Sequence, residues 1–275
     1  VKLIQQFFRW LLRQVPFFRR KGYGISLLMP FRSDGAEREA AYQWLVKYWK
    51  AHLPFAQFIT GTDDQVPFSK TSAFNDAFSR SKGDILVLID ADCYIDAQIV
   101  VNCAEEIRTA RKAGHKLWHI PYRQFYRLTD LATSHVLASN PAHPLRFSAS
   151  PNPRDTEDTG SSSFGHWWGA LIQVMPREAY ELVGGCDPRF RGWGGEDVAF
   201  MRAIDTLYGK HKTTDNQVIH LWHPTIKTVH KLKLWDGQIS PQDNVTLTGR
   251  YYAAFGDPRR MRRLVNEYQD GERPK

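Results

Sequence analysis

The chain has little cysteine and no pattern that would pair what it has. Its 275 residues include three, Cys93, Cys103 and Cys186, odd in number, widely spaced and without a C-x-x-C pair. That argues against a disulfide framework and against a zinc knuckle. A reducing compartment suits such a chain, so a cytoplasmic protein is the expectation. No apolar run approaches the roughly 20 residues that span a bilayer. The chain begins at Val1 rather than Met, and an anchor upstream of it stays an open alternative. Neither G-x-G-x-x-G nor G-x-x-x-x-G-K-[ST] occurs, which removes the main support for dinucleotide and P-loop readings. There is no internal repeat, and the first 22 residues carry no acidic side chain.

What is present is a chain that is 42% hydrophobic and 13% aromatic, enough for one large α/β domain or two small ones around a substantial core. The net charge of +8 and pI near 9.4 favour an anionic partner, and nucleic acid, acidic lipid or a phosphorylated small molecule would each satisfy it. In the acid-free opening, Ile4, Phe7, Phe8, Leu11, Leu12 and Val15 share one face opposite Lys2, Arg9 and Arg13. Residues 1–24 therefore read as a basic amphipathic helix, ended by Pro16. Three fates are open to it: docking on its own domain, self-association, or a peripheral place on a membrane surface.

From Gly24 onward the pattern alternates. An apolar strand "ISLLMP" precedes a helix from Ala36 to Trp49, and the strand "AQFIT" precedes a helix near "TSAFNDAFSRS". The strand "DILVLI" is followed by a helix from Ile99 to Lys112 and a strand from Lys116 to Pro121. This alternation predicts, over residues 25–275, a single α/β domain. Its central sheet is mostly parallel, flanked by helices, with ligands at the carboxyl ends of the strands. The stretch Ser139 to Phe164 is rich in Pro, Ser, Asn and Asp. It is too long for a passive connection, and a mobile flap is expected there.

Three stretches could carry chemistry. In "ILVLIDADCYID" a buried strand delivers Asp90 and Asp92 to its carboxyl end, where carboxylates can hold a divalent cation and, through it, a diphosphate. The bland alternative is that Asp92 or Asp96 caps the next helix. In "QVIHLWHP", His220 and His223 lie near a strand end. Three residues apart on a regular strand they face opposite sides, so only one is a ligand unless the strand end is twisted or bulged. His223, nearest the loop, is the better candidate, against a structural role as the alternative. Carboxylates with an imidazole suit Mn²⁺ better than Mg²⁺. In "RGWGGEDVAF", Glu196 and Asp197 fall in the first turn of a helix, where the dipole favours ionised carboxylates. They could simply cap it. Yet the glycine-rich loop before them is costly to order, and Trp193 offers a flat face of the kind that stacks on a sugar ring. An ionised carboxylate beside that face makes a credible general base for a hydroxyl.

Taken in order, "ISLLMPFRSDG", "PFSKTSAFNDAFSRSKGDILVLIDADCYI", "WWGALIQVMPREAYELVGGCDPRFRGWGGEDVAF" and "HLWHP" resemble GT-A glycosyltransferases, a Rossmann-like fold. The likeness is to the inverting kind whose C-terminal half is like that of β-1,4-galactosyltransferases, and it runs from about Ile25 to Pro224. The resemblance implies a metal-dependent transfer of sugar from a nucleotide-sugar donor, usually a uridine diphosphate (UDP) sugar, to an acceptor hydroxyl. It implies Asp92, with Asp90, as metal ligands, His223 as a further one, and His220 as an open case, since a Met matches it in the galactosyltransferases. Asp197 matches the catalytic base, and Glu196 and Trp193 match sugar or acceptor contacts. Pro30, Arg32 and Asp63 resemble base- and ribose-binding positions. Lys70 sits where a basic residue would approach the donor, and Trp168 and Gly169 match the donor-sugar pocket. Retaining relatives that make N-acetylgalactosamine linkages carry Asn where Asp197 stands, which favours inversion.

Two other classes compete. A nucleotidyltransferase on a similar sheet would carry a Gly-rich basic loop after its first strand, and "MPFRSDGAE" is not one. A basic nucleic-acid-binding module would account for the charge and for "RRMRRL", but no RNA-recognition or helix-turn-helix signature accompanies them. Nucleic acid is therefore not the expected partner. The acceptor and the transferred sugar depend on loops and pocket shape, for which the sequence has no code.

Overall fold

The computed structural model describes residues 22–33, 35–147, 155–158, 171–192, 194–224 and 241–271. The expected N-terminal helix, Trp168, Gly169, Trp193 and half of the Ser139 to Phe164 stretch lie outside them.

Strand β1 (Ile25–Pro30) is six consecutive buried residues, the signature of a strand covered on both faces. It pairs in parallel with β2 (Gln57–Gly61) on one side and β3 (Ile85–Ile89) on the other. Between them run α1 (Ala36–His52) and α2 (Lys70–Ser79). Helix α1 buries Trp44, Leu45, Tyr48 and Trp49, each worth about 1.5–3 kcal/mol when taken fully from water. Helix α2 starts at Ser69, whose side chain accepts from the Ser72 amide at 3.1 Å, and it presents Ala73, Phe74 and Ala77 to the sheet. After β3 come the two-residue β4 (Cys93–Tyr94) and α3 (Ala97–Lys112). The cap of α3 is Asp96, which accepts from the Gln98 amide at 2.8 Å. The capping duty weighed for Asp92 or Asp96 thus falls to Asp96, and Asp92 is left for other work.

The main sheet is completed by β8 (Ile172–Pro176), β5 (His119–Ile120) and β9 (Lys212–Thr213), in the order β2-β1-β3-β8-β5-β9. Strand β8 runs antiparallel to both β3 and β5, and the other pairs are parallel. A second sheet joins β4, β10 (Gln217–His220), β6 (Gln124–Leu128) and β7 (Thr156–Asp158) in the order β4-β10-β6-β7. The α/β class with a mostly parallel central sheet is what the alternation predicts. The second sheet is not, and neither are β6 and the helix after it, α4 (Asp130–Ala138). The strand expected from Lys116 to Pro121 shortens to two residues, because the chain turns at Pro121 to enter the second sheet. Within the Ser139 to Phe164 stretch, β7 pairs with β6, so that stretch is not loop throughout.

Helices α5 (Arg177–Leu182) and α6 (Glu196–Leu207) follow β8, and α7 (Pro241–Ala254) and α8 (Pro258–Gly271) pack on α6. No helix of the described residues is long and apolar enough to cross a membrane.

Candidate active site

Both sheets end at one place. Strand β3 stops at Ile89 and delivers Asp90 and Asp92 just beyond it, and β10 stops at His220, paired antiparallel with Cys93. The chain then leaves the sheet instead of continuing it. His220 and His223, which a regular strand would send to opposite faces, both meet Asp92: His223 Nε2 lies 3.1 Å from Oδ2 and His220 Nε2 lies 3.6 Å from Oδ1. One ligand atom from each of the three falls within 4.8 Å of the others.

The donor set fits a divalent cation. The Nδ1 of His223 lies 2.9 Å from the Pro224 carbonyl, which can only accept, so Nδ1 carries a proton and Nε2 is the ring nitrogen turned to the carboxylate. Two lone pairs facing each other repel unless a proton or a cation sits between them. Burial presses His220 down to about 4, so its ring is neutral at neutral pH, the form that ligates metal. Burial also opposes the charge on Asp92, but His220, His223 and Arg38 around it hold it well below the ordinary carboxylate range.

Asp90 turns away from this group. It pairs with Lys70, whose Nζ lies 2.9 Å from Asp90 Oδ1 and 3.0 Å from Glu196 Oε1. The structure thus brings Asp92, His220 and His223 together, and groups Asp90 with Lys70 and the opening of α6. Burial raises Asp90 to about 7, against the pull of Lys70 and with the push of Asp92. Burial works to lower the Lys70 ammonium, but Asp90, Glu196 and Asp197 together hold it well above its usual value. Asp197 is raised to about 6, by burial first and by Glu196 second, with Lys70 and its own helix-start amides pulling back. One of those amides, Val198 N–H, donates to Asp197 Oδ1 at 2.7 Å. Lys70, Phe74, Gln173, Glu196 and Asp197 all line one small pocket.

The loop before Glu196 is held from several sides. Asn244 on α7 accepts from the Arg191 amide at 3.3 Å and donates to the Arg191 carbonyl at 2.8 Å, while the Gly192 amide donates to the Phe68 carbonyl at 3.0 Å. Gly195 caps α6 at φ +86°, and a Cβ there would stand 1.9 Å from Thr248 Oγ1. Only glycine fits both the dihedral and the contact. Gly195→Ala is expected to lower stability by about 2 kcal/mol or more, read as an earlier urea midpoint at unchanged slope. An unchanged midpoint would mean that the loop does not hold this conformation.

Pro30 ends β1 opposite Gly61. Arg32 is exposed, donates to the Gln65 carbonyl at 2.7 Å and lies over the Phe68 ring at 5.0 Å. Asp63 accepts from the Ser69 amide at 2.9 Å, and its Oδ2 lies 3.7 Å from Arg191. All three stand at or just beyond the ends of β1 and β2. Several residues escaped the sequence reading: Arg38, 3.9 Å from Asp92; Cys93, whose thiol donates to Asp92 Oδ1 at 3.1 Å; and buried Gln173, whose Oε1 has no hydrogen-bond partner among the described residues. Arg38 lies in the first turn of α1 and Gln173 is the second residue of β8, positions where periodicity marks a face and nothing more. Cys93 adjoins Asp92, but cysteine beside a carboxylate carries no established signal.

No family model matches the chain. Over 148 residues, 52% of the chain, it is 26% identical to human chondroitin sulfate N-acetylgalactosaminyltransferase 2, and the match spans 24% of that protein's length. Among solved structures, it resembles a Drosophila β1,4-galactosyltransferase 7 variant in complex with manganese, UDP-Gal and xylobiose. That likeness has a TM-score of 0.44 and 15% identity, and covers 81% of this chain and 78% of the other. It also resembles the mannosyltransferase PcManGT of Pyrobaculum calidifontis in complex with GDP-Man and Mn²⁺, with a TM-score of 0.44 and 10% identity, covering 93% and 77%. Each of these proteins is named as a glycosyltransferase.

Proposed function

We propose that the protein is a metal-dependent, inverting glycosyltransferase of GT-A type that moves a sugar from a nucleotide-sugar donor, of the UDP class, to an acceptor hydroxyl. The observation that carries this reading is the Lys70 bridge. By touching both Asp90 and Glu196, it ties the strand end that bears the Asp92, His220 and His223 cluster to the helix start that bears Asp197. A cation site beside a carboxylate poised near neutrality is what transfer from a sugar diphosphate needs. The motif resemblance and the stretch of similarity to a named glycosyltransferase support the same reading.

Asp92, His220 and His223 would hold the cation, and the two imidazoles favour Mn²⁺ over Mg²⁺. When bound, such an ion offsets the charge of the donor diphosphate and of the leaving group. Asp197 takes the proton of the acceptor hydroxyl as its oxygen attacks the anomeric carbon. The bond from that carbon to the diphosphate oxygen breaks, and the nucleoside diphosphate departs. Glu196, fixed by Lys70 and by the Gly194 amide at 3.2 Å, is placed to accept from a sugar or acceptor hydroxyl. One displacement inverts the anomeric centre.

The test is a panel of nucleotide sugars assayed with Mn²⁺ and with chelator. Metal-dependent release of nucleoside diphosphate, strongest with a UDP-sugar, is the expected result. Turnover of no donor, combined with salt-steep binding of oligonucleotides, would replace the reading with a nucleic-acid module. Because Asp197 must be ionised to act as base and is raised to about 6, kcat/KM should fall about tenfold per pH unit below that value and level off above it. A profile flat from pH 5 to 8 would count against Asp197.

A further inference from the structure

We propose that Thr133 is a positioning residue for the imidazoles of the metal site: its hydroxyl fixes the chain between His220 and His223 so that both rings face Asp92. The inference rests on the metal reading above and concerns what makes that site hold together. Strand β10 ends at His220. Had the strand continued straight, residues 220 and 223 would point to opposite faces. What bends the chain is the fate of two successive backbone amides. Leu221 N–H donates to the Asp92 carbonyl at 2.8 Å, the last bond of the pairing between β10 and β4. At the next residue no strand partner remains. The Trp222 amide donates to the Thr133 side chain, at 2.7 Å.

The topology puts Thr133 where that acceptor is needed. Strand β6 runs parallel to β10 with Arg127 opposite His220, so α4 begins just past the point where β10 stops. Thr129 caps α4, its side chain accepting from the Ala132 amide at 3.1 Å. That leaves Thr133, one turn later and 4% exposed, free to turn its hydroxyl toward the departing chain. An amide leaving a sheet edge at a half-buried position is costly to leave without an acceptor. The one it finds sets the backbone direction midway between the two histidines. Beyond it, the Pro224 carbonyl fixes the His223 ring. The contact of Thr133 is with the backbone between the two histidines, at Trp222 N–H. It acts on the site as outer-shell partners do, by orienting the ligands.

The experiment uses the full chain, stripped of metal and titrated with Mn²⁺ by electron paramagnetic resonance, on samples shown to be folded by circular dichroism. Thr133→Val keeps the shape and removes the acceptor. Thr133→Ala removes it without setting a second methyl against the Trp222 amide, and so serves if the valine does not fold. Thr133→Ser keeps the hydroxyl. Valine and alanine are expected to weaken Mn²⁺ binding by about 10- to 100-fold, the usual effect of losing an outer-shell partner, while serine stays close to the unaltered protein. Folded Val or Ala variants that bind Mn²⁺ like the unaltered protein would overturn the role of Thr133 alone. An unaltered protein that takes up no Mn²⁺ would remove the metal reading itself, and the inference with it.

Discussion

Asp197→Asn is expected to cut sugar transfer by about 10² to 10⁴-fold while leaving donor binding in place. The substitution keeps the size and polarity of the side chain, and the amide oxygen can still accept from Val198 N–H as the carboxylate does at 2.7 Å. What it removes is the proton acceptor. Two competing accounts of Asp197 therefore separate cleanly. If the residue only stabilised the start of α6, the change would cost at most about 1 kcal/mol of stability and little activity. If it is the base, the loss appears in kcat, with the affinity for donor nearly unchanged. The raised titration of Asp197 has the same origin: burial and the neighbouring Glu196 make the carboxylate hold its proton more tightly, and thus make it a better base than an exposed aspartate. The sugar product of the unaltered enzyme should have the opposite anomeric configuration to the donor, read by proton NMR coupling constants. Retained configuration, or near-normal transfer by the asparagine variant, would strike Asp197 from the mechanism.

The sequence makes the ends of elements legible and leaves their meeting obscure. Asp90, Asp92, Glu196, Asp197 and the two histidines can be picked out because each stands at the end of a periodic apolar run, where a polar side chain is freed from packing. Their grouping cannot. That Asp90 belongs with Lys70 and Glu196 rather than with Asp92 depends on how α2 and α6 close on the sheet, contacts separated by more than 100 residues for Lys70 and Glu196. Strand periodicity misleads at His220 and His223, because its rule holds only while the strand continues. The bend comes from hydrogen bonds to Asp92 and to Thr133 on an element the pattern does not reveal. The stretch "QFYRLTDLATSHVLA" hides its strand and helix for a local reason. No glycine or proline separates them, and the only punctuation is Thr129, a cap that reads as one more polar residue.

Asp92→Ala should abolish metal-dependent donor binding, so that donor affinity becomes weak and equal with and without chelator. Asp92 is the one carboxylate in the cluster. Without it two imidazoles and the nearby Arg38 face each other, a set with no negative charge to offset a divalent ion. The diphosphate of a nucleotide sugar would then approach Asp90 and Glu196 with only Lys70 between them. The fold has little reason to fail. The cap of α3 belongs to Asp96, and the bond from Leu221 N–H is to the backbone carbonyl of residue 92, which any side chain leaves intact. Asp92→Asn provides a second version that preserves volume should the alanine variant prove unstable. Calorimetry of UDP-sugar binding, with Mn²⁺ and with chelator, decides the matter. If the unaltered protein and both variants bind donor equally well in all conditions, the Asp92, His220 and His223 cluster is a structural ion-pair group, and the charge of the donor must be met elsewhere, by the arginines and lysines that give the chain its net charge of +8.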